Sequence, residues 1–103
     1  MKTTVDIEAA RELELYTENT RRIYDRCTMP TVESLKRKAR KGQYNKEKAV
    51  KAWEYVAEAA AKEYSREFAS PTAWHIVFNA ATRRVVAATL EAVYYDEYIR
   101  EEA

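Results

Sequence analysis

A chain of 103 residues, 47% apolar and 34% charged, has the size and composition of one globular domain, and the disordered class is excluded. Its charges nearly cancel, 18 Lys and Arg against 17 Asp and Glu, which argues against a wholly basic domain of the kind that coats nucleic acid. A single cysteine permits no intramolecular disulfide, and no stretch approaches the roughly 18 apolar residues of a membrane span. With an acidic start from Met1 to Glu8 and no apolar leader, the expectation is a protein of the cytoplasm, folded as a single helical domain over 1-103.

Glycine occurs once and proline twice, each between stretches rich in Ala, Glu, Lys and Arg, so helices are expected to fill most of the chain. The first is predicted from Asp6 to Cys27, because Ala9, Leu13, Tyr16, Thr20, Ile23 and Cys27 recur at steps of four and three along one stripe. Thr28-Met29-Pro30 is expected to break it, since proline has no amide to donate and suits only a first helical turn. A second, short helix then runs from about Thr31 to Lys41, with Gly42 as its left-handed stop.

Asn45 is the predicted N-cap of the third helix, whose stripe is Ala49, Trp53, Val56, Ala60 and Tyr64, with Phe68 near its end. Its outer face offers the acid-first pairs Glu47/Lys51 and Glu58/Lys62. Ser70-Pro71 opens a short connecting segment to Phe78, and Asn79 is expected to cap a last helix from Ala80 to about Arg100. The fold class is therefore all-α: a small bundle of about four helices plus a short connecting helix. Because 17 residues are alanine, the core is expected to be thin, with close helix approaches and aromatic rings filling the gaps.

The last helix is apolar around most of its circumference. Val86, Leu90, Val93 and Tyr94 fall on one side, and Val85, Ala88, Ala92, Tyr95 and Ile99 on another. Such a helix is either central in its own bundle or covered by a second chain. The first set is accordingly the candidate self-association face of a homodimer.

Catalytic and metal-binding patterns are absent at the level of sequence. His75 has Pro71, Thr72, Phe78 and Asn79 at helical neighbour positions, and so no local carboxylate or thiol with which to share a metal. Cys27 lies on an apolar stripe and reads as a small core residue. One glycine cannot build a phosphate loop, and no Glu-x-x-His pair supplies a di-iron site. No catalytic residue, metal ligand or cofactor is expected, and the chain is read as a non-enzyme.

What remains is a knot of positive charge: from Leu35 to Lys48 the chain holds seven Lys or Arg and one acid. Arg37, Arg40 and Lys41 fall on the outer face of the second helix, Lys36 and Lys38 flank its inner stripe, and Lys46 opens the next helix, where a cation opposes the dipole. Arg37, Arg40, Lys41, Tyr44 and Lys46 are the candidate partner-binding residues, with Tyr44 as an aromatic anchor. Two acidic ends oppose them, which favours a protein interaction steered by complementary charge. Nucleic-acid or nucleotide-phosphate binding across 36-51 is the alternative, with Tyr44 stacking on a base or the cations holding an anionic ligand. A basic helix that merely meets water is the plainest reading of the run.

The spacing of Pro30, Leu35, Lys38, Lys41-Gly42, Tyr44, Lys48-Ala49, Trp53, Tyr64, Glu67-Phe68, Trp74, Phe78, Arg83 and Tyr94 resembles a family of small uncharacterised proteins encoded by bacteriophages, over about residues 28 to 98. The resemblance carries no catalytic or binding residue across, and it leaves the acidic first helix almost unconstrained. It implies a context, that of a phage accessory protein acting in the host cytoplasm by binding, and inhibiting, a host or defence protein.

Overall fold

The stripe of Ala9, Leu13 and Tyr16 becomes the inner face of α1 (Ile7–Asn19) in the computed structural model, which describes residues 7–68 and 79–102. Ala9 and Leu13 are fully buried. So is Thr17, whose hydroxyl donates to the Leu13 carbonyl at 2.7 Å and is thereby satisfied within its own helix. The helix does not continue to Cys27: Thr20 is extended (φ −94°, ψ 107°) and ends it. A polar Asn19-Thr20 step, the second residue β-branched, favours that backbone over another helical turn.

A new helical path then runs without a gap through α2 (Arg21–Ile23), a π-turn (Tyr24–Thr28) and α3 (Met29–Arg40). The break expected at Thr28-Met29-Pro30 thus lies earlier, at Thr20. Pro30 is accommodated because it sits in the first turn of α3, just after the wide turn, where the bonding step shortens from i→i+5 to i→i+4 and an amide is dispensable. Beside it the Thr31 hydroxyl donates to the Cys27 carbonyl at 2.8 Å.

Gly42 closes α3 at φ 69°, with its own amide donating to the Ala39 carbonyl at 3.0 Å and the Gln43 amide to the Lys38 carbonyl at 2.8 Å. That pair of bonds satisfies two of the helix's last carbonyls. A Cβ added at Gly42 meets nothing within 4 Å, so Gly42→Ala is expected to cost only left-handed backbone strain, about 1 kcal/mol, read as a lower urea midpoint at unchanged slope.

Asn45 begins α4 (Lys46–Glu67) as expected, its side-chain oxygen accepting from the Lys48 amide at 3.0 Å. Asn45→Ala should lower stability by about 1 kcal/mol in urea unfolding, since one amide of the first turn loses its acceptor. The helix buries Ala49, Trp53, Val56, Ala57, Ala60 and Ala61. On its outer face Glu58 and Lys62 pair at 3.4 Å, whereas Glu47 and Lys51 do not join. At its far end Tyr64 meets Tyr16 edge-on, ring centroids 5.2 Å apart, and Phe68 packs beside both. Two phenols tie α1 to α4 in opposite directions: Tyr16 donates to Glu67 at 2.8 Å, and Tyr64 donates to Glu12.

Asn79 caps α5 (Ala80–Tyr94) by accepting from the Thr82 amide at 3.1 Å. The chain goes on through a second π-turn (Tyr95–Ile99) and a single turn of 3₁₀ helix (Arg100–Glu102). α5 packs along α4, α1 lies against both, and α3 rests on the C-terminal π-turn. Among the described residues eight of the buried apolar side chains are alanines, so backbones approach closely, and Trp53 is the one large ring wholly inside. The slab is only 16 Å along its shortest axis, as a thin core requires.

The residues of the expected self-association face lie within that packing. Val86, Leu90 and Tyr94 are buried and Val93 half-buried, because α4 and α1 both close on α5. The opposite side is only partly covered: Val85, Ala88 and Ala92 are exposed while Ile99 is buried. The connecting segment Pro71 to Phe78 and His75 lie outside the described residues.

Candidate functional site

The five candidate binding residues do not converge on one spot. Arg37 and Lys41 project from the outer face of α3 and its C-cap, both exposed. Arg40 turns toward the chain's end, where its Nε donates to Glu102 at 2.7 Å. That hydrogen bond and charge hold the Glu102 carboxyl below the usual carboxylate range. Two of the molecule's opposite charges are thus already spent on each other.

Tyr44 and Lys46 face another way. They line an open hollow of about 890 Å³ with Glu91, Asp96 and Glu97, so its charge is mostly acidic. Tyr44 is half-buried, its hydroxyl donates to Glu91 at 2.6 Å, and its ring lies 5.1 Å from that of Tyr95. Burial, and then the Glu91 carboxylate, hold the Tyr44 phenol well above its ordinary range. Glu91 itself is 4% exposed, so a charge buried in α5 has its donor supplied by the α3–α4 loop. Tyr44, the expected aromatic anchor, thus ties the α3–α4 loop to α5 and the turn that follows it.

On the other side of α3 the cations do gather. A hollow of about 350 Å³ between α3 and α4 has Arg26, Lys38 and Lys48 at its edge and Pro30, Leu35 and Val56 among its apolar lining. A second hollow, of about 280 Å³, continues it toward Asn45 and shares Leu35, Lys38 and Lys48. No acidic residue lines either one. Among the described residues Arg26, Lys38 and Lys48 form no ion pair, and Arg40 is the only cation of the 36-48 run that does. Cys27 packs on the core with one flank and borders this groove with the other.

By sequence Lys38 flanks the inner stripe of the second helix, Lys48 is one charge of the basic run, and Arg26 belongs to a continuous first helix. Bringing them together takes the π-turn, which sets the direction of Arg26, and the Gly42 reversal, which folds α4 back beside α3. Exposure marks the same place, for Tyr55 on the groove's rim is 75% exposed.

Several tyrosines make the fold sensitive to alkali. Burial, then the hydrogen bond to Glu12, push the Tyr64 phenol up to about 12, and burial, then Glu18, push that of Tyr94 to about 12. In the unfolded chain a phenol ionises near about 10, so the folded state holds more protons above that pH. The stability these groups contribute is complete below pH 10 and is lost as pH rises toward 12. A denaturant midpoint that falls over this window together with phenolate absorbance checks it; a flat midpoint refutes it.

Among the described residues no helix is long and apolar enough to cross a membrane, and no cluster of three or more His, Cys, Asp and Glu side chains could hold a metal ion. Fold and surface together define an all-α bundle with charge segregated into a basic groove and an acidic hollow. Comparison with protein-family models, with curated proteins and with solved structures gives no match.

Proposed function

We propose that the chain is a non-enzymatic binding protein that engages an acidic protein surface through the face built on α3 and the start of α4. The observation that carries this reading is uncompensated charge: Arg37, Lys38, Lys41 and Lys48 lie on α3, its C-cap and the first turn of α4 in a nearly neutral molecule, and no carboxylate among the described residues pairs with them. Cations at the N-terminus of α4 oppose the helix dipole, a local cost that an external anion relieves. The phage-type resemblance supports a host or defence protein as the target, with inhibition as the outcome.

Immobilised protein exposed to nuclease-treated host lysate should retain one or a few acidic proteins, and Arg37→Glu/Lys38→Glu/Lys41→Glu should release them. Equal recovery on the reversed variant sinks the reading. Nucleic-acid binding is the alternative, and the Tyr44 contacts count against it, since the ring meant to stack on a base lies against Tyr95 and its hydroxyl is held by Glu91. Recovery that depends on untreated lysate, with a gel shift of DNA or RNA weakening steeply in salt, would establish that alternative instead.

A further inference from the structure

The α3–α4 groove is more specific than a basic patch. It is elongated, since two hollows of about 350 and 280 Å³ share Leu35, Lys38 and Lys48, so it suits a length of chain better than a point ligand. Its chemistry is mixed: Pro30, Leu35 and Val56 contribute apolar lining, while Arg26, Lys38 and Lys48 supply cations with no acid among the described lining residues. A simple phosphate would use the cations and leave the apolar lining wet, and a nucleic-acid backbone calls for a longer cationic track than the three cations Arg26, Lys38 and Lys48. The occupant that satisfies both halves is a protein segment rich in Asp or Glu with an apolar side chain among them.

Resting on the binding function proposed above, we infer that the groove between α3 and α4 captures a short acidic segment of the partner, with one of its apolar side chains seated on the exposed Pro30, over a floor closed by the buried Leu35 and Val56. Lys38 and Lys48 stand where the two hollows join and take the flanking carboxylates. Arg26, within the π-turn, takes one at the far end. Tyr55, exposed on the rim, covers the seated side chain with its ring and excludes water from the charge pairs. Arg37 and Lys41 lie outside and steer the approach.

The test uses a fluorescein-labelled ten-residue peptide of glutamates with one central leucine, the same peptide with glycine for leucine, and a ten-nucleotide single-stranded DNA, read by fluorescence polarisation on the full chain. Seating one leucine is expected to tighten binding about tenfold over the glycine peptide, the lower end of what burying such a side chain yields. Lys38→Glu/Lys48→Glu should abolish binding of the leucine peptide, while Arg37→Glu/Lys41→Glu should weaken it only about twofold, as loss of steering does. All four positions are exposed, so circular dichroism should confirm an unchanged fold. Cys27, the sole thiol, gives an independent readout on the unaltered protein: its alkylation should slow in the presence of the leucine peptide and not of the glycine peptide.

Equal affinity for the two peptides, or unchanged Cys27 alkylation at saturation, overturns the groove. Binding that survives reversal at Lys38 and Lys48 but is lost on reversal at Arg37 and Lys41 also overturns it, and leaves the binding function standing on the outer face of α3. Binding of the DNA alone, with neither peptide bound, overturns both.

Discussion

Trp53→Ala is expected to cost about 3–5 kcal/mol, a large share of the roughly 5–15 kcal/mol that holds a domain of this size together. Trp53 is fully buried, and its ring stacks on that of Tyr94 at 4.9 Å and 18°, with Tyr94 stacked in turn on Tyr98 at 5.8 Å. Nearly half of the buried apolar residues it shares the core with among the described residues are alanines, including Ala49, Ala57 and Ala60 on its own helix. Alanine has no rotamer with which to fill a void, and backbones already in contact cannot close further, so the cavity would persist. Trp53→Phe should be far milder, because it keeps the stack and removes an indole N–H that finds no acceptor among the described residues. Urea unfolding of both variants checks the pair: a Trp53→Ala loss below about 1 kcal/mol would show that the cavity collapses after all.

The architecture was readable because its punctuation is local. Asn45, Asn79 and Gly42 act through bonds spanning three to five residues, and each makes the bond its chemistry predicts. The stripes of α1 and α4 follow from helical spacing alone. Two things were not local. Pro30 looks like a stop, but a π-turn ahead of it removes the conflict, and nothing in the sequence distinguishes that turn from ordinary helix. α5 is apolar on two sides, and which side meets α4 and α1 depends on how those helices cross it.

The candidate site shows the same division. The segment from Lys36 to Lys48 was legible as a concentration of charge, and among the described residues its cations stay without ion pairs apart from Arg40. The direction in which each cation points was not legible. Arg37 and Lys41 face outward, Lys46 borders the acidic hollow, and the groove belongs to Lys38, Lys48 and a residue from the π-turn. A linear run becomes a site only when the Gly42 reversal lays α4 beside α3, and side-chain direction across that reversal is a tertiary property. Tyr44 reads from the sequence as an aromatic anchor for a partner, yet the Glu91 that it binds lies 47 residues away.

Tyr44→Phe should destabilise the fold by about 1–3 kcal/mol while leaving the affinity of the α3–α4 groove for an acidic peptide unchanged. The change removes one oxygen and almost no volume, so packing against Tyr95 survives; what is lost is the donor to a carboxylate that is itself 4% exposed. A buried charge without its donor bears its desolvation cost in full. Glu91→Leu should cost a comparable amount for the reverse reason, since it leaves a half-buried phenol without its acceptor. The double variant Tyr44→Phe/Glu91→Leu removes both polar groups and should lose less than the sum of the single changes, by at least about 1 kcal/mol. Strict additivity in urea unfolding would mean that the 2.6 Å contact contributes nothing as a pair. Binding separates the two faces of the basic segment: the tie holds the loop that turns α3 into α4, whereas capture of an acidic segment falls to cations on the other side. If Tyr44→Phe weakened peptide binding at full stability, Tyr44 would be a contact residue after all, and the acidic hollow would be part of the recognition surface.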